Sequence, residues 1–112
     1  MRYVLLVHGN NEQWEQRTEA EQQAIMGEYL AISEVKGVYG GAQLQSNATA
    51  TTVRVDDGRT LTTDGPFAET KEALGGFYLY EADNLDDAIE LAARIPAARL
   101  GGAVEVRPLV ER

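Results

Sequence analysis

An α+β domain, with an antiparallel sheet and its helices on one face, is predicted by three features of this chain. Two stretches carry apolar residues at helical spacing, each opened by a side chain able to cap it. Several short runs are rich in β-branched and aromatic residues, as strands are. Their order along the chain is β-α-β-β-β-β-α-β.

The first strand is Arg2 to His8 (RYVLLVH), dominated by β-branched and aliphatic side chains. Gly9 to Gln16 reads as a polar loop holding one buried-type residue, Trp14. Thr18, with Glu21 three residues on, forms a capping-box pattern. Ile25, Tyr29 and Ile32 then fall at i, i+4 and i+7, with Ala24 and Val35 widening the stripe. The spacing predicts a helix over Glu19 to Lys36, closed by Gly37 as a left-handed cap.

Val38 to Gln45 is a short strand broken into by Gly40-Gly41, and Ala50 to Val55 (ATTVRV) is a stronger one. Asp57-Gly58 is a hairpin signal, with Arg59 to Thr63 as the return strand. Asp64 to Gly76 reads as a loop with a short helical candidate at Thr70 to Leu74, before the strand Phe77 to Ala82 (FYLYEA). Asn84, with Asp87 three residues on, opens a second helix whose apolar face is Leu85, Ala88, Ile89 and Ala92. Pro96 stops it, because the residue before a proline avoids helical angles. Gly101-Gly102 turns the chain into a last strand, Ala103 to Leu109, where Val104 and Val106 alternate with Glu105 and Arg107.

With the Asp57-Gly58 hairpin set aside as an addition, the order becomes β-α-β-β-α-β, the ferredoxin-like pattern. Both helices then pack on one face of the sheet, and the other face has to be covered or polar. Two such sheets facing each other as a dimeric α/β barrel is the expected solution, which makes the chain a homodimer. Residues 1–112 form one domain, long enough for a core without staples.

Apolar residues at 44% and charged residues at 25% place the chain among globular proteins rather than disordered ones. There is no cysteine, which removes disulfides and thiolate chemistry and fits a reducing cytoplasm. A single histidine without cysteine makes a tight transition-metal site within one chain improbable, so no metal is expected. Gly40-Gly41, Gly75-Gly76 and Gly101-Gly102 lack the spacing and the lysine of a phosphate loop, and no cofactor is expected. Only five apolar residues precede His8, too few for a signal-peptide core or a bilayer span. The net charge of −8 makes nucleic acid and anionic membranes poor partners, while leaving room for a small molecule in a local basic pocket.

The run DGPFAETKEALGGFYLYEADNLDDAIELAARIPAARLGGAVEVRPL, residues 64 to 109, closely resembles the DGPF subgroup of the YCII-related family. The likeness extends to the first strand and the helix after it. It implies a ferredoxin-like fold assembled as a dimeric α/β barrel. Some branches of the family hold a His–Asp pair in a cleft beside the sheet, and DGPF-type relatives often occur beside sigma-factor-like regulators. His8 lies on strand one, away from the helix-proximal place where other branches carry their histidine.

The candidate site follows from these residues. Asp64 either caps the turn of its own Gly-Pro or serves as a general acid/base or as a partner that orients a histidine. His8, the only histidine, shares a face with Val4 and Leu6 and would make a base–orienter pair if it met Asp64. Glu69, Lys71 and Glu72 form a charged cluster that either solvates a helix start or binds a polar ligand. Arg107 and Glu105 point away from Val104 and Val106, so they face the barrel interior if the valines pack on the helices. A buried arginine there needs a carboxylate, from Asp64, Glu69, Glu72 or Glu105. Tyr78 shares a face with Tyr80 and either lines the same pocket or packs in the core.

Two readings of function result. One is a small-molecule-binding domain with acid/base chemistry of the lyase or isomerase kind, using Asp64 and His8 as catalytic groups and Glu69, Lys71, Glu72, Arg107 and Tyr78 for binding. The other is a non-catalytic, dimeric interaction or regulatory module in which the DGPF segment is a structural clamp.

Overall fold

The computed structural model describes residues 1–68 and 72–112. Six strands occur: β1 (Arg2–Gly9), β2 (Val38–Gln43), β3 (Thr51–Asp56), β4 (Arg59–Asp64), β5 (Ala73–Glu81) and β6 (Ala103–Pro108). Three α-helices accompany them: α1 (Asn11–Glu15), α2 (Glu19–Ser33) and α3 (Leu85–Arg94). Four strands form an antiparallel sheet in the order β2-β5-β1-β6. The hairpin β3-β4 forms a two-stranded sheet of its own.

Alternation along β1 sorts its side chains between the two faces of the sheet. Tyr3, Leu5 and Val7 are buried, and they meet Ile32 of α2 with Ala88, Leu91 and Ile95 of the α3 region in one core cluster. Cross-strand pairing carries that face outward: Leu5 sits opposite Tyr78 and Val106, and Val7 opposite Val104. The intervening residues Val4, Leu6 and His8 look out from the opposite, half-exposed face.

Local chemistry explains each helix end. The Thr18 hydroxyl accepts from the Glu21 backbone N–H at 3.1 Å, and the Glu21 carboxylate accepts from the Thr18 N–H at 3.1 Å, completing the capping box. Asn84 caps α3 by accepting from the Asp87 N–H at 2.9 Å. Helix α2 ends at Ser33 with Glu34 as its cap, three residues short of the sequence expectation. Gly37 therefore does not close the helix. It makes the turn into β2 at φ +102°, where an added Cβ would lie 2.6 Å from the Glu81 carbonyl oxygen.

Other expectations are corrected in the same way. The Gly9–Gln16 segment holds α1, whose five residues are too few to display a periodic stripe and which Asn10 caps through the Gln13 N–H. Strand β5 begins at Ala73, so Ala73 and Leu74 are extended rather than helical, while residues 69–71 of that segment lie outside the described residues. The Gly75-Gly76 pair, expected to end the loop, lies within β5. The pairing with β1 shifts register there, and Gly76 lets β2 pass so close that a Cβ would sit 2.8 Å from the Ala42 carbonyl oxygen. In α3 the buried residues are Ala88, Leu91 and Ala92, whereas Leu85 and Ile89 are about half exposed. The helix is rolled so that its 88/91/92 stripe, continued by Ile95, faces the sheet.

The outline is flat, 45 × 44 × 18 Å, with a radius of gyration of 15.8 Å. A compact domain of this length has about 13 Å. Among the described residues no helix is long and apolar enough to cross a membrane.

The roll of α3 is testable. Leu91 is 3% exposed and Leu85 is 48% exposed. In urea denaturation, Leu91→Ala is expected to cost about 2–5 kcal/mol, and Leu85→Ala less than about 1 kcal/mol. A larger loss for Leu85→Ala than for Leu91→Ala would mean that the 85/88/89/92 stripe faces the core.

Candidate functional site

On the open face of the sheet, register brings the one histidine to a carboxylate. His8 lies opposite Ala103, Leu6 opposite Glu105 and Val4 opposite Arg107, so Glu105 is the diagonal neighbour of His8. The His8 Nε2 is 3.5 Å from Glu105 Oε1, and Arg107 Nε donates to Glu105 Oε2 at 2.5 Å. The Arg107 hydrogen bond, followed by the weaker pull of His8, holds the Glu105 carboxyl below the usual carboxylate range. Around this group the face is apolar and half exposed, with Val4, Leu6, Phe77 and Leu79 side by side.

Asp64 does not join it. The residue ends β4 opposite Thr51, in the separate hairpin sheet, and no hydrogen bond or ion pair links it to His8 among the described residues. The turn after it is fastened to β3. The Gly65 N–H donates to the Ala50 carbonyl at 2.7 Å, and the Thr52 hydroxyl donates to the Gly65 carbonyl at 2.7 Å. The Arg54 guanidinium stands 4.8 Å from the centroid of the Phe67 ring, whose outer side faces solvent. Glu69 and Lys71 lie outside the described residues, and Glu72 is an exposed residue in the bend before β5.

Tyr78 belongs to the other side of the sheet. Paired with Leu5, it points toward the helices, and its hydroxyl donates to the Tyr29 carbonyl at 2.9 Å. There it borders a half-open cavity of about 660 Å³ between α1, α2 and the β2-β5 edge. The walls include Trp14, Ile25, Met26, Tyr29, Leu30 and Tyr78. Trp14 enters because α1 presents it to this space, a placement hidden from the sequence by the shortness of that helix. None of the other predicted site residues that are described lines this chamber. Among the described residues no three histidine or carboxylate groups come close enough to share a metal ion.

The strand order β2-β5-β1-β6, with helices against one face, defines a ferredoxin-like α+β domain. The YCII-related domain matches residues 1–112, and the chain belongs to the YCII-related family. It is 36% identical over 115 residues to the uncharacterized protein R00369 of Rhizobium meliloti (strain 1021), covering 97% of this chain and 92% of that protein. Among solved structures it is similar to 5-chloro-2-hydroxyhydroquinone dehydrochlorinase of Burkholderia phenoliruptrix AC1100, in complex with 2,5-dihydroxybenzoquinone. The TM-score is 0.54 at 14% identity, over 100% of this chain and 96% of that one, a likeness of fold alone.

Burial pushes the Tyr78 hydroxyl up to about 12, with neighbouring Tyr29 adding to the effect. An unfolded tyrosine ionises near pH ~10. Between about pH 10 and pH 12 unfolding therefore releases a proton, and the stability that Tyr78 contributes below that window is lost as pH rises through it. Urea midpoints measured across the window should fall less steeply for Tyr78→Phe than for the wild type. Tyr29, raised by burial as well, leaves a residual slope.

Proposed function

We propose that this chain is a small-molecule-binding domain of the DGPF branch, with its ligand in the chamber between α1, α2 and the sheet. The chamber itself carries the reading. Its volume of about 660 Å³ lies within the range of about 300–1,000 Å³ typical of ligand sites, and its walls are mainly aromatic and aliphatic. Helix α2 meets the core through Ile32, with Tyr29 packed beside it, while its earlier turns border the chamber with Ile25 and Met26, and Leu30 stays largely exposed at the rim.

A second reading is favoured by the His8–Glu105–Arg107 group: acid/base chemistry of the lyase or isomerase kind on the open face. Glu105 orients the imidazole and Arg107 keeps that carboxylate charged, the arrangement of a base with its orienter. A dehydrochlorinase, by its name, removes the elements of HCl, and such an elimination needs a proton taken from its substrate. The apolar surround of Val4, Leu6, Phe77 and Leu79 is the part of this face that a second copy would cover, giving a homodimer with the group at its seam. The Asp64–Phe67 turn has a structural role in either reading, since its described contacts clamp it to β3.

Trp14 is the only tryptophan and lines the chamber, so it reports on occupancy. Titration with the neutral, non-absorbing probe cyclohexylbutanol should change its fluorescence saturably at one ligand per chain. Ser33→Phe, which fills part of the chamber, should weaken that response; an unsaturable response in the wild type sinks the binding reading.

For the second reading, NMR can follow exchange of the ring hydrogens of 2,5-dihydroxybenzoquinone in heavy water. Acceleration that disappears in His8→Gln, and in a monomeric Leu6→Arg variant, is the expected outcome. Acceleration that survives both substitutions removes His8 and the dimer seam from the chemistry.

A further inference from the structure

The chamber does not end in apolar walls. A second, polar cavity of about 430 Å³ adjoins it, bordered by Gln13, Gln16, Arg17, Glu21, Leu100 and Gly101. The two spaces share Gln13, Arg17 and Leu100. Arg17 thus stands at the junction of an apolar compartment with a wet one. It is half buried and makes no ion pair with the described residues. Glu21 feels its charge, but that carboxylate is engaged in the capping box, accepting from the Thr18 N–H. The Gln13 side-chain amide lies beside it, over Gly101. Among the described residues that line the two cavities, Arg17 is the only cation and Glu21 the only acid.

We propose that the chamber takes an amphipathic organic acid, its apolar body among Trp14, Ile25, Met26 and Tyr29 and its carboxylate at Arg17. This rests on the chamber being a ligand site and adds the class of ligand. The guanidinium fork matches a carboxylate in shape and charge, and Gln13 supplies a further amide at the same mouth. The apolar walls contribute affinity by area, whereas Arg17 sets the preference for an anion over a neutral molecule of the same shape.

A matched pair of probes tests this: cyclohexylbutanoate and cyclohexylbutanol, each titrated at low salt against Trp14 fluorescence and checked by calorimetry. The acid should bind about tenfold more tightly than the alcohol. Arg17→Gln should remove that preference by weakening the acid far more than the alcohol, and Arg17→Lys should keep part of it. Equal binding of the two probes, unaffected by Arg17→Gln, overturns the acid preference and leaves the chamber as a neutral site. Failure of both probes, with hydrogen exchange showing concentration-dependent protection of α2 and the β3-β4 hairpin, means that a second copy fills the space, and overturns both.

Discussion

Strand β1 is hydrogen-bonded to β5 along one edge and to β6 along the other, and the four-stranded sheet with the helices packed on it is placed by it. A central strand of this kind has no freedom of register. A slip by one residue would move Tyr3, Leu5 and Val7 out of the core and bring Val4, Leu6 and His8 in. Burial of the first three against Ile32, Leu91 and Ile95 is what prevents it. The helices, the chamber and the histidine all take their positions from that one choice.

The two-sided sheet separates the chamber from the His8–Glu105–Arg107 group. The helix side has size and apolar walls, with Arg17 at its mouth; the open side has His8, Glu105 and Arg107. Tyr78 cannot work with His8 within one chain, because paired strands place them on opposite faces. Within a single copy, the chamber is a partly enclosed cleft. The open face is a shallow surface, and a facing sheet would turn it into one.

The hairpin is a separate structural problem. Two strands alone make a marginal unit in water, and β3-β4 has exposed Val53, Val55 and Leu61. The Asp64–Phe67 turn answers part of it. Its glycine and phenylalanine are tied to Ala50, Thr52 and Arg54, so the base of the hairpin is held where the chain returns to β5.

Alternation and capping chemistry are local, and for that reason the sequence alone determined the strand-rich α+β order, the Thr18 and Asn84 caps, and the placement of His8 with Val4 and Leu6. It also placed Glu105 and Arg107 on the face opposite Val104 and Val106, because a period of two survives any tertiary context. What it could not determine depends on rotation and docking. The roll of α3, which exposes Leu85 and Ile89, is decided by the shape of the sheet it meets. The partner of His8 is Glu105 rather than Asp64 because strand register, a long-range property, puts β6 beside β1 and sends β4 into another sheet. The chamber with Arg17 at its mouth is the clearest case. It is empty space between elements, created by how far α1 and α2 stand from the sheet, and only tertiary structure sets that distance.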